Sequence, residues 1–529
     1  MPKVLISDAL SETAVQIFRA RGIDVEYAPE LGKDRDRLIA AIGEFDGLAV
    51  RSATKASAPV IKAGKNLKVI GRAGIGVDNI DLPAATAAGV VVMNTPYGNA
   101  ITTAEHAIAL MFALARQIPQ ANESTHAGRW EKNRFMGVEL YGKTLGIIGC
   151  GNIGSIVADR AIGMKMHVIA YDPFLTDGRA VELGVEKVEL DELLKRADII
   201  SLHAPLTEQT RNILSAENIA RTKKGVFIVN CARGGLIDED ALKDALDSGH
   251  VAGAGLDVFA VEPANEHPLF GHERVVATPH LGASTREAQE NVAIQIAEQM
   301  ADFLLRGAVT NALNMPSITA EEAPKLRPYI KLAENLGLFA GQLTETSIRA
   351  IEVVYAGAAA KLNTRPLTAA AVAGVLKPIL SEVNVVNAPV IAKERGVAIA
   401  ETYRDDAENF ESVIRLRIVT ERQDRAAAGA LFGATPRIVN IKGVEMEAGF
   451  APHMLYVTNE DKPGFIGALG QTLGAAGVNI ATFNLGRSAP GADAIALIAV
   501  DEPVSEAVLA RVRALPHVKQ AKPLTFNGW

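Results

Sequence analysis

The stretch Leu145-Gly-Ile-Ile-Gly149-Cys-Gly151-Asn-Ile-Gly154 carries the glycine spacing that lets a chain turn tightly beneath a pyrophosphate. A GxGxxG run alone is a weak signal, because many such runs are only glycine-rich turns. Here it follows a short apolar run, opens a segment of helical periodicity, and is succeeded by a second apolar run ending in Asp172, eighteen residues after Gly154. In that setting Gly149 permits the turn, Gly151 lets a pyrophosphate approach the backbone, and Gly154 brings helix against strand. Asn152 and Ile153 then begin a helix whose N-terminus faces the phosphates. Asp172 would accept hydrogen bonds from an adenosine ribose and repel a 2′-phosphate, so NAD rather than NADP is the expected cofactor. Opening the turn at Pro173 is compatible with that role.

Three polar residues follow in loops after apolar runs: Arg233 in Asn230-Cys-Ala-Arg-Gly-Gly235, Glu262 in Asp257-Val-Phe-Ala-Val-Glu-Pro263, and His280 in Thr278-Pro-His-Leu-Gly282. Singly, each has an ordinary reading: a helix-capping cation, a solvated loop acid, a hydrogen-bonded histidine. Together they fall at the C-terminal edge of strands, where open α/β sheets bind ligands. Hydride chemistry needs these types. Removal of hydride from a secondary alcohol requires a base for the hydroxyl proton, and histidine titrates near working pH. A carboxylate on the ring fixes its tautomer and favours imidazolium as the acid of the reverse reaction. A guanidinium clamps a carboxylate bidentately and polarises the adjacent carbonyl. The substrate class implied is a 2-hydroxy acid.

The elements that must position these groups are legible as hydrophobic runs. Residues 4–6, 48–50, 69–71, 90–93, 145–148, 168–171, 199–202, 226–229 and 275–277 are each too short for a helix, and most are followed by helical periodicity. Their continuous hydrophobicity is that of parallel strands covered on both faces. Two such sets are expected, one over residues 1–98 and a second beginning at Lys143. A helix from Ile101 through Arg116, ending at Pro119, joins them, and a helix from Ser284 to about Leu305 returns to the first set. The expected units are a substrate lobe of residues 1–98 plus 284–314 and a nucleotide lobe of residues 99–283, enclosing a cleft. Asn314-Met-Pro-Ser317 reads as a linker. Residues 318–450 mix strand candidates at 351–355, 397–402, 413–419 and 437–441 with Ala-rich helices, and residues 453–529 spell βαββαβ, the order of a ferredoxin-like sandwich. The fold class is thus α/β: two Rossmann-like doubly wound lobes, then an α+β unit, then the ferredoxin-like one.

A length of 529 residues is compatible with three or four domains, and 48% apolar with 22% charged residues excludes a disordered or collagen-like chain. Only 5% of residues are aromatic and the formal charge is −7, which argues against nucleic-acid stacking surfaces and anionic membranes as partners. Two cysteines, Cys150 and Cys231, leave no disulfide framework and no CxxC metal cluster, so no metal is expected and a reducing cytoplasm is the natural compartment. The segment MPKVLISDAL lacks a basic region followed by a long apolar run, so the chain is expected to be soluble and unexported.

The glycine fingerprint and the ordered Arg233, Glu262 and His280 segments resemble the D-isomer-specific 2-hydroxyacid dehydrogenases. The resemblance extends through Val50-Arg-Ser-Ala-Thr54, Gly71-Arg-Ala-Gly-Ile-Gly-Val-Asp-Asn79, Asn94-Thr-Pro96 and Pro279-His-Leu-Gly-Ala-Ser-Thr285 to long members with an intervening domain and a C-terminal ACT domain. It implies His280 as acid/base, Glu262 as its partner and Arg233 as the carboxylate and carbonyl anchor. It further implies that His203, Ala204, Pro205, Cys231, Ala232, Asp257 and Gly282 line the cofactor's nicotinamide side. Arg51, Ser52 and Arg72, with the Gly74, Ile75 and Gly76 backbone, match the positions that receive a substrate phosphate or carboxylate; without the motif they read as ordinary surface residues. Two guanidiniums and a hydroxyl suit a phosphomonoester, whereas lactate or glycerate needs no such extra charge. The implied reaction is NAD-dependent oxidation of 3-phospho-D-glycerate to 3-phosphooxypyruvate. The alternatives are another 2-hydroxy acid, such as glycerate, glyoxylate/hydroxypyruvate or 2-hydroxyglutarate, or a non-catalytic NAD-binding sensor.

In the C-terminal unit, Asn459-Glu-Asp461-Lys-Pro-Gly464 and Val478-Asn479-Ile480 resemble the ACT pattern for a free amino acid bound across a paired interface. This implies Asn459, Asp461 and Asn479 as an L-serine site, the alternative being a purely structural ACT dimer. Lys361, Arg365, Lys393 and Arg395 are either anion-binding or solvated helix charges. Arg129-Trp-Glu-Lys-Asn-Arg134 reads as a solvated helix end; in the family that region lies near a dimer interface, and a homodimer or homotetramer is expected.

Overall fold

The structure is a computed structural model that describes residues 1–380 and 382–526. Its first sheet is parallel and joins β1 (Lys3–Ile6), β2 (Asp24–Tyr27), β3 (Gly47–Val50), β4 (Val69–Arg72) and β5 (Val91–Met93) in the order β2-β1-β3-β4-β5. The second is also parallel. It orders β6 (Thr144–Ile148), β7 (His167–Tyr171), β8 (Glu186–Lys187), β9 (Ile199–Leu202), β10 (Val226–Asn230), β11 (Val251–Leu256) and β12 (Val275–Ala277) as β12-β11-β10-β9-β6-β7-β8. Both sheets are doubly wound, so their strand C-termini point toward the crevice at which ligands bind.

Two long helices exchange between these sheets. Helix Ala100–Arg116 follows the first sheet but packs on the second, where Leu110 and Leu114 lie over Gly253 and Gly255 of β11. Helix Arg286–Arg306 follows the second sheet and packs back on the first; a Cβ at Gly71 would lie 2.3 Å from Met300 Sδ and one at Gly47 3.0 Å from Met300 Cε. Glycines on the strands let the helices seat closely, and Ile296, Ala297 and Met300 are fully buried there. The first of these helices does not end at Pro119. It ends at Gln117, whose left-handed backbone (φ +51°) caps it, and Pro119 opens a further helix, Ile118–His126, because proline is tolerated in a first turn.

Asn314 is pinned rather than loose: its side chain accepts from Val92 N–H and donates to Val90 C=O. Beyond it, β13 (Ile348–Gly357), β14 (Ala398–Arg404), β15 (Ser412–Thr420), β16 (Arg425–Phe432), β17 (Thr435–Ile441) and β18 (Val444–Gly449) make a mixed sheet ordered β14-β13-β15-β16-β17-β18. Only the β13–β14 pair is parallel. Helices Ala323–Gln342 and Arg365–Leu376 cover this sheet and cross at glycines: a Cβ at Gly337 would lie 2.2 Å from Ala371 C=O. The last unit contains β19 (His453–Glu460), β20 (Ile480–Arg487), β21 (Asp493–Val500) and β22 (Val518–Thr525), antiparallel and ordered β20-β21-β19-β22, with helices Phe465–Gly474 and Glu506–Arg513. One apolar core runs unbroken from the first sheet through the mixed sheet into the last one. No helix among the described residues is long and apolar enough to cross a membrane.

Candidate active site

The glycine turn after β6 behaves as its spacing requires. Gly149 has φ +90°, and a Cβ there would lie 2.7 Å from the His203 carbonyl carbon, so only glycine fits between β6 and the loop after β9. A Cβ at Gly154 would lie 2.1 Å from Gly149 C=O, whereas one at Gly151 would meet nothing within 4 Å. Helix Asn152–Gly163 therefore presses on the strand through Gly154 and leaves open space before its N-terminus, as a pyrophosphate needs. Ile153 packs against the lobe's core, and Asn152 Nδ2 reaches Pro96 C=O at 3.3 Å, touching the other lobe. Asp172, just past β7, accepts from Cys150 N–H and Phe174 N–H, both at 2.8 Å, so it sits against the glycine turn.

His203 opens the loop after β9, with Ala204 buried behind it, and Thr210 Oγ1 donates to Pro205 C=O at 2.6 Å. Its Nε2 meets Ser201 Oγ at 2.8 Å, while Nδ1 is buried without a hydrogen-bond partner. Burial pushes this imidazole down to about 4, so it is neutral at working pH. An unpartnered ring nitrogen beside the glycine turn fits a cofactor's polar edge.

Asp257 is fully buried at the end of β11. It accepts from Thr278 Oγ1 at 2.6 Å and from Leu281 N–H and Gly282 N–H, both at 2.7 Å, and His106 Nε2 lies 3.2 Å away. Burial raises its carboxyl, but these donors outweigh burial and hold it below the ordinary carboxylate range. Its own C=O accepts His280 N–H at 2.9 Å. His106, Cys231 and Asp257 bring potential metal-ligand atoms within 4.8 Å of one another, yet Asp257 already serves these donors, and burial pushes the Cys231 thiol well above its ordinary value. That set suits an organic cofactor's wall better than a metal.

His280 and Glu262 meet across the cleft edge, Nδ1 to Oε2 at 2.7 Å. Burial raises the Glu262 carboxyl, but the bonds from His280 and from Phe259 N–H, the latter 3.0 Å to Oε1, outweigh it and leave the group ionised below the usual range. The His280 side chain is 50% exposed, so its Nε2 edge is open to a ligand. Arg233 lies in the loop after β10; Asn230 fixes that loop by accepting from Ala232 N–H and donating to Arg233 C=O. Arg233 Nε donates to Asp78 Oδ2 at 2.9 Å, an ion pair from one lobe to the other, and Nη1 donates to Ala232 C=O at 2.7 Å. A Cβ at Gly76 would lie 1.5 Å from Arg233 Nη2, so the glycine turn of the first lobe makes room for this guanidinium.

Arg51, Ser52 and Arg72 gather at the C-terminal edge of the first sheet. Asp8 holds the Arg51 loop by accepting from Arg51 N–H at 2.5 Å and Thr54 Oγ1 at 2.8 Å, and Asn79 Nδ2 donates to Arg51 C=O at 2.6 Å. Ser52 is exposed on that loop. Arg72 folds over Gly74, where a Cβ would lie 1.5 Å from its Nη1, and its Nε is buried without a partner. Burial first, then the Arg233 and Arg51 charges, pushes the Arg72 guanidinium down to about 10. Three cations converge with a donor unspent, a setting made for an anion. The Ile75 carbonyl is held by Asn94 Nδ2 at 2.7 Å, and Gly74 C=O accepts from Thr95 N–H at 3.1 Å.

The effector candidates are not brought together within one chain. Asn459 is buried in β19 with Oδ1 unpartnered, and Asp461, one residue beyond that strand, accepts from Arg487 Nη1 at 2.7 Å and Gly491 N–H at 3.0 Å. Asn479 precedes β20 and donates to Asp501 at 2.7 Å. Asn459 pairs with Ala494 and Ile480 with Val500, so the two groups sit at opposite ends of β21, roughly 20 Å apart at strand rise. Sequence reasoning gave no role to His106, Asp78 or Glu239. His106 is a lone histidine in a mostly apolar helix that also carries Glu105 and Arg116, a detectable but weak signal; the two acids are marked only by their tertiary partners.

Residues 108–282 match the NAD-binding domain of the D-isomer specific 2-hydroxyacid dehydrogenases, residues 325–442 the D-3-phosphoglycerate dehydrogenase intervening domain, and residues 453–517 the ACT domain. The chain is 42% identical over 525 residues to a D-3-phosphoglycerate dehydrogenase of Synechocystis, covering 98% of this chain and 94% of that protein. It is 41% identical over 526 residues to that of Bacillus subtilis, covering 99% of each. Among solved structures, a glyoxylate reductase from Paecilomyes thermophila aligns at 32% identity and TM-score 0.55, over 59% of this chain and 98% of that one. D-lactate dehydrogenase from Escherichia coli aligns at 30% identity and TM-score 0.52, over 59% of this chain and all of that one.

Proposed function

The chain belongs to the D-3-phosphoglycerate dehydrogenases of the 2-hydroxyacid dehydrogenase family, and on that footing we propose how its residues perform NAD-dependent oxidation of 3-phospho-D-glycerate to 3-phosphooxypyruvate. Arg233 clamps the substrate carboxylate and C2 oxygen, with Asp78 steadying its guanidinium. Arg51, Ser52, Arg72 and the Gly74–Gly76 backbone take the phosphate. His280, with Nδ1–H on Glu262, presents Nε2 to the C2 hydroxyl and removes its proton as the hydride leaves C2. Bound NAD⁺ supplies the hydride acceptor. Glu262 keeps the ring tautomer fixed and stabilises the imidazolium that forms, which returns the proton in the reverse direction. Gly149, Gly151, Asn152, Ile153, Gly154 and Asp172 hold the dinucleotide, and His203, Ala204, Pro205, Cys231, Ala232, Asp257 and Gly282 wall its reactive end.

The observation that carries this reading is the His280–Glu262 pair beside a guanidinium cluster that includes an unpartnered, buried Arg72 Nε. A substrate panel tests it. Purified enzyme reduces 3-phosphooxypyruvate with NADH far faster than pyruvate or glyoxylate; equal rates would sink the phosphate assignment.

The enzyme works as a homo-oligomer in this reading, supported by exposed apolar side chains on one stretch of the nucleotide lobe: Trp130 (86% exposed), Met136 (82%) and Tyr141 (73%). L-serine is its feedback effector. Asn459 and Asp461 of one chain would meet Asn479 of another, since one chain holds them at opposite ends of a strand. Two free cysteines suit a reducing cytoplasm.

A further inference from the structure

Glu239 is the first residue of helix Glu239–Asp247, whose N-cap Asp238 accepts from Ala241 N–H. The Glu239 carboxylate is therefore not needed as a cap, and it turns outward to the 257–262 segment. Its Oε1 accepts Ala260 N–H at 2.8 Å, and its Oε2 lies 3.0 Å from His267 Nε2. His267 Nδ1 accepts Leu269 N–H at 3.3 Å, which leaves the ring proton on Nε2, pointing at Glu239. The ring is 11% exposed and packs against both Phe259 and Phe270, at centroid distances of 5.0 and 5.3 Å.

This second carboxylate–imidazole pair stands directly behind the first. Ala260 is held by Glu239, and the preceding Phe259 N–H holds Glu262 Oε1, whose partner Oε2 holds His280. On the other side the segment is pressed by the Arg233 loop, where a Cβ at Gly234 would lie 1.8 Å from Phe259 C=O. The turn bearing Glu262 is thus gripped between the substrate-anchoring loop and the Glu239–His267 pair. Asp257 is the other carboxylate acting on Glu262.

We propose that Glu239, oriented by His267, is a positioning residue for the Glu262–His280 pair, fixing the height at which Glu262 meets the ring. It touches neither substrate nor cofactor; it acts through the Phe259–Ala260 backbone. The proposal rests on the assignment of His280 and Glu262 as the acid/base pair, and its test separates the two.

The experiment compares Glu239→Ala, Glu239→Gln, Glu262→Ala and the double variant Glu239→Ala/Glu262→Ala in the full-length enzyme, by steady-state kinetics and NADH titration. Glu239→Ala is expected to lower kcat about tenfold, the usual scale for a supporting group behind a reactive one. NADH affinity and the KM for 3-phosphooxypyruvate stay within about twofold, because no ligand contact is lost. Glu239→Gln keeps an acceptor for Ala260 N–H and recovers most of the rate. The double variant is no slower than Glu262→Ala, because Glu239 acts only through Glu262. Should Glu239→Ala fail to fold, His267→Phe keeps the aromatic packing and removes the bond to Glu239, and it is expected to show a smaller kcat loss of the same kind. A fast Glu239→Ala (or His267→Phe) beside a slow Glu262→Ala overturns the proposal alone, and so do additive losses in the double variant. A wild-type rate for Glu262→Ala overturns the underlying assignment and the proposal with it.

Discussion

His280 has a left-handed backbone, φ +55°, which a side-chain-bearing residue adopts only at a cost of about 1 kcal/mol or more. Its N–H donates to Asp257 C=O and Thr278 C=O, and the Nδ1–Glu262 bond completes the clamp, so the strain is held by a frame anchored on the buried Asp257. His280→Ala should lower kcat by roughly 10²–10⁴-fold while NADH binding persists, measured by single-turnover kinetics and fluorescence titration. His203 makes a prediction of the opposite kind. Its ring is neutral in the fold, with its titration depressed by burial from 6.5 to about 4, whereas the unfolded chain takes up a proton below 6.5. The stability it contributes is present above pH 6.5 and is lost as pH falls toward 4, at most roughly 3 kcal/mol. Urea unfolding of His203→Gln across that window should show a shallower acid slope than the parent. The pairing of Glu262 with His280 was implied by the resemblance of their segments to the 2-hydroxyacid dehydrogenases. The supporting roles of Asp78, His106 and Glu239 were not, because each is defined by a partner from a different part of the fold.

At the scale of elements, the glycine fingerprint was legible because each glycine answers a separate steric demand. Gly154→Ala places a methyl 2.1 Å from Gly149 C=O and must lift helix Asn152–Gly163 off β6. The expected cost is about 1–3 kcal/mol of stability, read by denaturant unfolding, together with weaker NADH binding. Continuous apolar runs marked most buried parallel strands, while five strands left weak traces for different reasons, among them β18 (Val444–Gly449), where two residues of six are buried. In β2 (Asp24–Tyr27) one residue of four is buried, and β8 (Glu186–Lys187) is two exposed charges at a sheet edge. In β11 (Val251–Leu256) glycines and alanines replace branched residues so that helix Ala100–Arg116 can approach. The Ala-rich β16 (Arg425–Phe432) reads as helix by propensity and is held as a strand by pairing on both sides.

For the whole molecule, the continuous core from the first sheet to the last makes the C-terminal units part of one packed body rather than appended beads. An effector bound between two ACT units, as proposed above, would therefore act on elements that pack, through successive layers, against the first sheet. If the serine site is shared between chains, Asp461→Ala and Asn479→Ala should each abolish serine inhibition, and co-refolded mixed oligomers should regain part of it through the one intact site. Initial rates against serine concentration read this out, and a mixed oligomer as insensitive as its parents would show that the site is not shared. The sequence by itself determined the α/β class, the NAD fingerprint, the order of Arg233, Glu262 and His280, and the βαββαβ close, because these depend on local periodicity and on glycines whose sterics are nearly local. Only the tertiary structure decided that the first long helix stops at Gln117 with Pro119 opening another, that Asp78 reaches Arg233 across the cleft, that Glu239 and His267 back the turn bearing Glu262, and that Asn479 stands a strand's length from Asp461. Those facts are set by packing and by hydrogen bonds between residues far apart in the chain, and no spacing along the sequence encodes them.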